Sequence, residues 1–434
     1  MTTVAVGLLP VTTVAVGLLS GTSVDAIDTA AGELHFGADG VLALRPLGHR
    51  QHPWPPGLRE RILAVLPPAT TSAAEICALD NDIGRAFAAA ATVAVRELAG
   101  GTADLVATLG QTVYHDIRDG RCHGTLQLGQ PAWIAEATGL PVVSDLRSAD
   151  VAAGGHGAPL ASTLDALWLA AGPATVPPPG RVSREPASAE PASAEQVPTR
   201  AALNLGGIAN VTLVTGRGAL AFDTGPANCL LDLAAARATG GAQRCDLDGA
   251  LASAGTVRTD LLAVLAAHPY FAAAAPKSCG RELFCAAYLD EALASLPPSL
   301  GPVGAPDLLA TLTELTGLTV ANAIAPHRPA EVVASGGGTS NPALMDALRR
   351  HLPTPSWRTS DELGLPAQAK EAYLVAILGA LTWHGLPGTI ATPTGGTATG
   401  ARHTTILGRI SPAMPPRTPP AVALPTRLSV VHQR

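Results

Sequence analysis

Three apolar, β-rich runs, far apart in the chain, each end in a turn of small residues, and this pattern constrains the fold more than any other feature. They are TTVAVGLLSGTSVDAID at 12–28, the pair AALNLGGIANVTLV and ALAFDTGPAN at 201–214 and 219–228, and EVVASGGGTSN at 331–341. A short apolar run stopped by Gly, Ser or Asn reads as a buried strand emptying into a turn. Glycines there let backbone N–H groups approach an anion closely, and Thr22 and Ser23 add hydroxyl donors. The chain's two lysines, Lys277 and Lys370, do not follow a glycine, so a Walker-type phosphate loop is excluded, and no G-x-G-x-x-G follows a strand. Three such turns point to a nucleotide held between two lobes. Asp25 and Asp28 are candidate Mg²⁺ ligands, mostly through water as that ion prefers.

The first turn belongs to a duplicated segment. TTVAVGLL occurs at 2–9 and again at 12–19, and only the second copy runs on into GTSVDAID. That copy is expected to enter the fold, with 12–36 a β-hairpin and residues 1–11 redundant. The first 24 residues carry no charge, yet no basic n-region precedes Asp25 and Pro10 interrupts the run, so neither signal peptide nor membrane span is expected. AYLVAILGALTW at 372–383 is too short to span and reads as a buried helix. Helical spacing covers 73–99, and buried strands are expected at 104–116 and 140–150, each opening into a polar loop. The stretch 174–198 contains PASAE twice, lacks apolar periodicity and is expected to be a disordered insert, and the Pro-rich tail from 413 is expected to be poorly ordered.

Alternating strands and helices over 434 residues imply an α/β protein of two lobes. With 47% hydrophobic and only 3% aromatic residues, its cores are built from Ala, Leu and Val. A net charge of −6 with scattered arginines argues against a nucleic-acid partner. Six cysteines without a CxxC pair read as reduced thiols in a cytoplasmic protein.

Taken together, GTSVDAID, LGQTVYHD, LQLGQPAWIAEATGLPVVSDLRSADVAAGGHGAPL, NLGGIANVT, FDTGPANCLLD, PKSCGRELF, VVASGGGTSNPAL and AKEAYLVAILGALTWHGLPG resemble, in order, the anhydro-N-acetylmuramic acid kinases. The resemblance covers residues 12 to about 412 apart from the PASAE insert. It implies the two-lobed actin-like, hexokinase-like (ribonuclease H-like) ATPase fold with a central cleft. The N-terminal lobe would be 12–140, completed by 386–412, and the C-terminal lobe 141–385. It also implies an enzyme that uses ATP, Mg²⁺ and water to open the 1,6-anhydro ring of 1,6-anhydro-N-acetylmuramic acid and phosphorylate O6, in cell-wall recycling. The partners implied are the sugar and ATP, with no nucleic acid or membrane, and a homodimer is the candidate assembly.

Carried over by position, the resemblance makes Asp223 the catalytic base. It assigns the nucleotide to Gly21, Thr22, Ser23, Val24, Asp25, Ala26, Ile27 and Asp28, to Asn204, Gly206, Gly207 and Asn210, and to Gly336, Gly337, Gly338 and Asn341. The sugar falls to Gln111, Thr112, Arg147, Asp150, His156 and Gly157. Bland alternatives stand beside each: Asp223 as a turn-forming Asx residue, Gln111 and Thr112 as strand caps, Arg147 in a structural ion pair, Asn341 as a helix cap. Three departures bear on activity. Ala26 and Ala227 stand where the family pattern has glycine, and would be strained if φ > 0 is needed, while Leu109 replaces a histidine. They leave two competing readings: a nucleotide-binding regulatory or chaperone-like protein with weakened catalysis, and a glycosidase using Asp223 with another carboxylate.

Overall fold

The structure, a computed structural model, describes residues 10–21, 23–118, 121–170, 198–216, 218–275, 277–280, 283–392, 395–413 and 418–431. Thr22 and the expected insert up to residue 197 lie outside them, as does the first TTVAVGLL copy. Strands β1 (Val11–Ser20), β2 (Ile27–Phe36) and β3 (Val41–His52) form an antiparallel meander, as the GTSVDAID turn predicts. β4 (Leu105–Arg118) joins β1 in parallel, β5 (Arg121–Leu128) folds back on β4, and β6 (Val142–Ser144) adds in parallel beyond it.

The second sheet repeats this plan. β7 (Arg200–Leu205), β8 (Ile208–Thr215) and β9 (Gly218–Pro226) are an antiparallel meander. β10 (Glu331–Ser335) and β11 (Ser356–Thr359) then extend the β7 side in parallel. The orders β3-β2-β1-β4-β6 and β9-β8-β7-β10-β11 are the same topology twice. The repeated plan is that of a two-lobed α/β protein, as the alternation of strands and helices implies.

Two helices lie between the sheets. Ala161–Leu169 packs on β7, β8 and β9, and Lys370–Trp383 packs on β1, β2 and β4. Both are buried almost all round, which explains why 372–383 shows no polar face. Strand alternation divides the apolar residues. Ala15 and Leu19 face these helices, whereas Val16 and Leu18 face the outer core beside the Ala73–Glu97 helix. On the other sheet, Ala202, Val214 and Ala219 join the central core, and Ala201, Leu203 and Leu205 the opposite one. The packing is close enough to need glycine at two contacts. A Cβ on Gly17 would lie 2.0 Å from the Ala372 carbonyl oxygen, and one on Gly379 would lie 2.2 Å from the Ala107 Cβ.

The first sheet draws on more of the chain than expected. β6 lies beyond the expected lobe boundary at 140 and the 370–383 helix belongs to the first sheet's packing, while β12 (Arg409–Ser411), inside the expected 386–412 return, pairs with β6. The tail is also not structureless, because β13 (Arg427–Val430) pairs in parallel with β3. His384 ties this return to the core, accepting from or donating to Thr13 at 2.9 Å and bonding the Pro420 carbonyl at 2.9 Å. Proline content alone misleads here, since prolines in the approach to a strand leave the edge pairing intact.

β1 has its two neighbours, β2 and β4, so the second copy fills a central slot with both edges hydrogen-bonded. Deleting residues 1–10 should therefore leave the thermal midpoint and turnover unchanged. A loss of several degrees in the truncated protein would show that the first copy contributes to the sheet.

Candidate active site

The β1–β2 turn is shaped by one arginine. Arg59 Nε donates to the Val24 carbonyl at 2.8 Å, and its Nη2 reaches the Ser23 carbonyl and the Asp25 carboxylate, each at 3.3 Å. Val24 is buried with φ 55, so the left-handed position of the turn falls on it and not on Ala26. Ala227, at φ −129, is likewise outside the left-handed region. The two alanines therefore impose no such strain. Leu109 is half-buried and packs against the central core.

Gln111 links the sugar strand to this turn. It is fully buried on β4, and its Nε2 donates to the carbonyls of Gly21 at 3.4 Å and Thr112 at 3.1 Å, while Oε1 has no partner among the described residues. A buried acceptor left unpaired costs on the order of 1–3 kcal/mol, so it is a natural place for a ligand donor. The Thr112 hydroxyl accepts from Gln127 at 3.3 Å within the β4–β5 hairpin.

In the second lobe, strand register brings three expected residues side by side. Asn204 on β7 opposes Asn210 on β8, which opposes Asp223 on β9. The Gly206–Gly207 turn accepts the amides of Ala227, Asn228 and Cys229 at 3.0–3.1 Å, joining it to the start of the Asn228–Ala238 helix. Asp223 is buried and gripped by one segment. Its amide donates to the Lys277 carbonyl at 2.9 Å, its carbonyl accepts the Tyr270 hydroxyl at 2.8 Å, and its Oδ2 accepts the Cys279 amide at 2.9 Å. Tyr270 stands in an aromatic cluster with Phe271, Phe284 and Tyr288. A chain poor in aromatics thus concentrates them behind this carboxylate.

The glycine turn after β10 divides by position. A Cβ on Gly336, where φ is 86, would meet Asn204 Oδ1 at 2.7 Å, and one on Gly338 would meet the Leu205 Cβ at 2.7 Å. Gly337 has nothing within 4 Å and opens to space. Asn341 caps the Pro342–His351 helix by accepting the Leu344 amide at 3.1 Å, so its side-chain oxygen is engaged in the fold.

The expected sugar loop is built around buried Asp150 and half-buried Arg147. Asp150 Oδ2 accepts the Gly157 amide at 2.7 Å and Oδ1 the Thr399 hydroxyl at 2.6 Å, which makes it a loop-forming residue. Arg147 donates from Nη1 to the Gly157 carbonyl, and its Nε is buried without a partner among the described residues. Burial holds its guanidinium below the usual range, against the pull of Glu371, Asp150 and Asp223. His156 Nδ1 lies 3.4 Å from Ser278 Oγ, beside the segment that grips Asp223. Burial, then Arg147 and His156, push His115 down to about 4, so its ring is neutral at pH 7.

Sequence reasoning missed Glu371. Glu371 Oε1 accepts the Asn204 amide at 3.2 Å across the lobes, and its charge is felt by both Asp28 and Arg147. The signal was present: Lys370-Glu371 is the sole charged pair at the head of an apolar helix. The segment Lys277–Cys279, within the PKSCGRELF motif, has no role that its residue types reveal in sequence. Of the two candidate metal ligands, Asp25 is exposed and paired with Arg59. Asp28 accepts from Gln51 at 2.8 Å, and burial, with Glu371 and Asp25 adding, raises it to about 6.

Two outcomes follow from this geometry. Gly337→Val should preserve the thermal midpoint, because a side chain there meets nothing, and should weaken ATP binding measured by calorimetry about tenfold or more. Asp28 should destabilise the unliganded protein as pH rises from about 4 to about 6. Its folded value exceeds the unfolded one, so in that window the folded state holds the extra proton and stability falls with pH. Asp28→Asn should then raise the melting temperature at pH 7.5 and leave it unchanged near pH 3.5. A shift of this size is worth at most about 3 kcal/mol. Equal melting curves at both pH values would refute the burial of its charge.

A profile of the anhydro-N-acetylmuramic acid kinase family matches residues 13–176 and 185–413. The anhydro-N-acetylmuramic acid kinase of Streptomyces avermitilis is 53% identical over 92% of this chain and 95% of its own length. That of Streptomyces coelicolor is 50% identical over 94% and 96%, and that of Rhodococcus erythropolis 48% over 91% and 92%. With this breadth of match and the two-lobed fold, the chain belongs to the anhydro-N-acetylmuramic acid kinase family.

Proposed function

We propose that the protein opens the 1,6-anhydro ring of 1,6-anhydro-N-acetylmuramic acid with water and transfers the γ-phosphoryl group of ATP to O6, giving N-acetylmuramic acid 6-phosphate and ADP. The observation that carries this reading is the grip on Asp223, held at its amide, its carbonyl and one carboxylate oxygen. A carboxylate fixed this way is pre-organised to take a proton from a water aimed at C1. As that water's oxygen bonds to C1, the C1–O6 bond breaks. O6 then bonds to the γ-phosphorus, whose bond to the β,γ-bridging oxygen breaks to release ADP. The phosphoryl group takes the place of the proton that an acid would supply to O6, so the second carboxylate of a glycosidase is not required.

The remaining residues bind and orient. The buried Arg147 Nε is suited to the substrate's lactyl carboxylate, and the unpaired Gln111 Oε1, bonded through its amide to the phosphate turn, is suited to a sugar hydroxyl or amide. Gly337 offers open backbone to the adenosine. Among the described residues, no group of three or more His, Cys, Asp or Glu could hold a metal ion. Asp28, crowded by Glu371 and Asp25, fits a hydrated Mg²⁺ that keeps its water and phosphate ligands. When bound, that ion would neutralise charge on the transferring phosphoryl group. The reading places the reaction in the cytoplasm. The regulatory alternative rests on the three departures at Ala26, Leu109 and Ala227, and the backbone at the two alanines does not support it.

The test is turnover in ¹⁸O water with product weighing. Label should enter at the anomeric hydroxyl before exchange erases it, and the ester oxygen should come from the substrate. Asp223→Asn should lower turnover by about 10² or more with ATP binding kept. Label in the ester oxygen, or a near-normal Asn variant, would refute the assignment. Sugar opening without ATP would instead favour a glycosidase.

A further inference from the structure

One buried ion pair lies outside this chemistry, at the seam of the two lobes. Lys370 Nζ lies 2.6 Å from Asp165 Oδ1, with the two side chains 4% and 2% exposed. Asp165 Oδ2 accepts the Thr212 hydroxyl at 2.8 Å, and Lys370 donates to the Ser335 hydroxyl at 3.2 Å. The four residues come from the two central helices and from β8 and β10 of the second sheet. Two of them adjoin the proposed nucleotide site. Ser335 immediately precedes Gly336, and Lys370 immediately precedes Glu371, which bonds Asn204 across the cleft. Burying two charges costs several kcal/mol per ion, and well-packed apolar residues of similar volume are often as stable or more so. Stability alone therefore gives no reason for placing the pair here.

We propose that Lys370 and Asp165 are positioning residues for the nucleotide. The ammonium fixes Ser335, and with it the start of the Gly336–Gly338 turn, against the helix head that presents Glu371. The adenosine turn of one lobe and the carboxylate of the other are thereby held at one spacing. A rigid link of this kind matters where the catalytic parts come from two bodies, because a misplacement of about 1 Å remote from the chemistry can cost ~10²-fold. The proposal rests on the reading of 336–338 as the adenosine turn.

In the full chain, the combination Asp165→Leu, Thr212→Val and Lys370→Met exchanges the network for apolar groups, and Ser335 retains the Leu203 carbonyl as acceptor at 3.3 Å. The expected result is a thermal midpoint close to that of the parent protein, with kcat/KM for ATP lowered about 10- to 10²-fold. ATP affinity by calorimetry should fall in parallel, while KM for the sugar stays within a few-fold. Parental ATP affinity and kcat/KM in the stably folded triple variant would overturn the proposal, as would equal losses toward ATP and sugar. Gly337→Val in the same titration separates the two readings. Loss of affinity there beside normal affinity in the triple variant overturns the proposal alone, and normal affinity in Gly337→Val removes the adenosine reading and the proposal with it. Hydrogen exchange on the unaltered protein needs no variant to fold. ATP should protect the 336–341 turn and the first turn of the 370–383 helix together, and protection of the turn without the helix head would overturn the proposal.

Discussion

The architecture depends on the close seating of the 370–383 helix against β1 and β4. Gly17 and Gly379 permit it, since any larger residue at either place would strike backbone or Cβ at about 2 Å. That contact lets one core fill the space between two sheets that alternate strictly in which face they give it. Because both sheets abut the same pair of helices, their turn-bearing ends converge. The β1–β2 turn, the Gly206–Gly207 turn and the Gly336–Gly338 turn thus belong to one cleft region, although they are separated by more than 100 residues of chain. An alanine- and leucine-rich composition suits this packing, as small side chains allow backbones to approach.

The cleft's electrostatics follow from the same geometry. Asp28, Arg147, Glu371 and Asp223 come from four separate segments, and each of these charges is felt by another of the group. In a partly desolvated site such coupling is stronger than in water. The carboxylates near Asp28 raise its affinity for a proton, which is the same reason they would favour a cation. Arg147, drawn the other way by three carboxylates, resists the loss of charge that burial favours. Two backbone groups and a tyrosine hydroxyl are among the partners that orient Asp223, with aromatic rings beside that tyrosine.

Much of this was legible in the sequence because it is local. Strand-then-glycine segments gave the hairpins at 12–36 and 201–214, and apolar periodicity gave the helix at 73–97, whose end falls two residues short of the expected one. The motif set expects Asp223, Gln111 and the glycine turns at one site. Other features needed the packed chain. The side-chain oxygens of Asp150 and Asn341, both expected at a ligand, also close a loop and cap a helix. Glu371 has no role assigned from sequence, and only the folded chain shows its bond to Asn204, which links the head of its helix to the second sheet. The Pro-rich tail looked unstructured because its strand has no pattern of its own and exists by pairing with β3.

The sequence by itself determined where the chain turns, which faces are apolar and which small residues leave backbone open, since these depend on neighbours within a few positions. It also determined the family, through motifs whose order survives the insert and the duplicated start. The tertiary structure alone decided which polar atoms remain unsatisfied, as with Gln111 Oε1 and Arg147 Nε, and which charges are paired away from water, as with Lys370 and Asp165. The reason is physical: desolvation and long-range charge coupling are properties of the packed whole. No local pattern records them, because the partners that satisfy or strand a polar atom arrive from elsewhere in the chain.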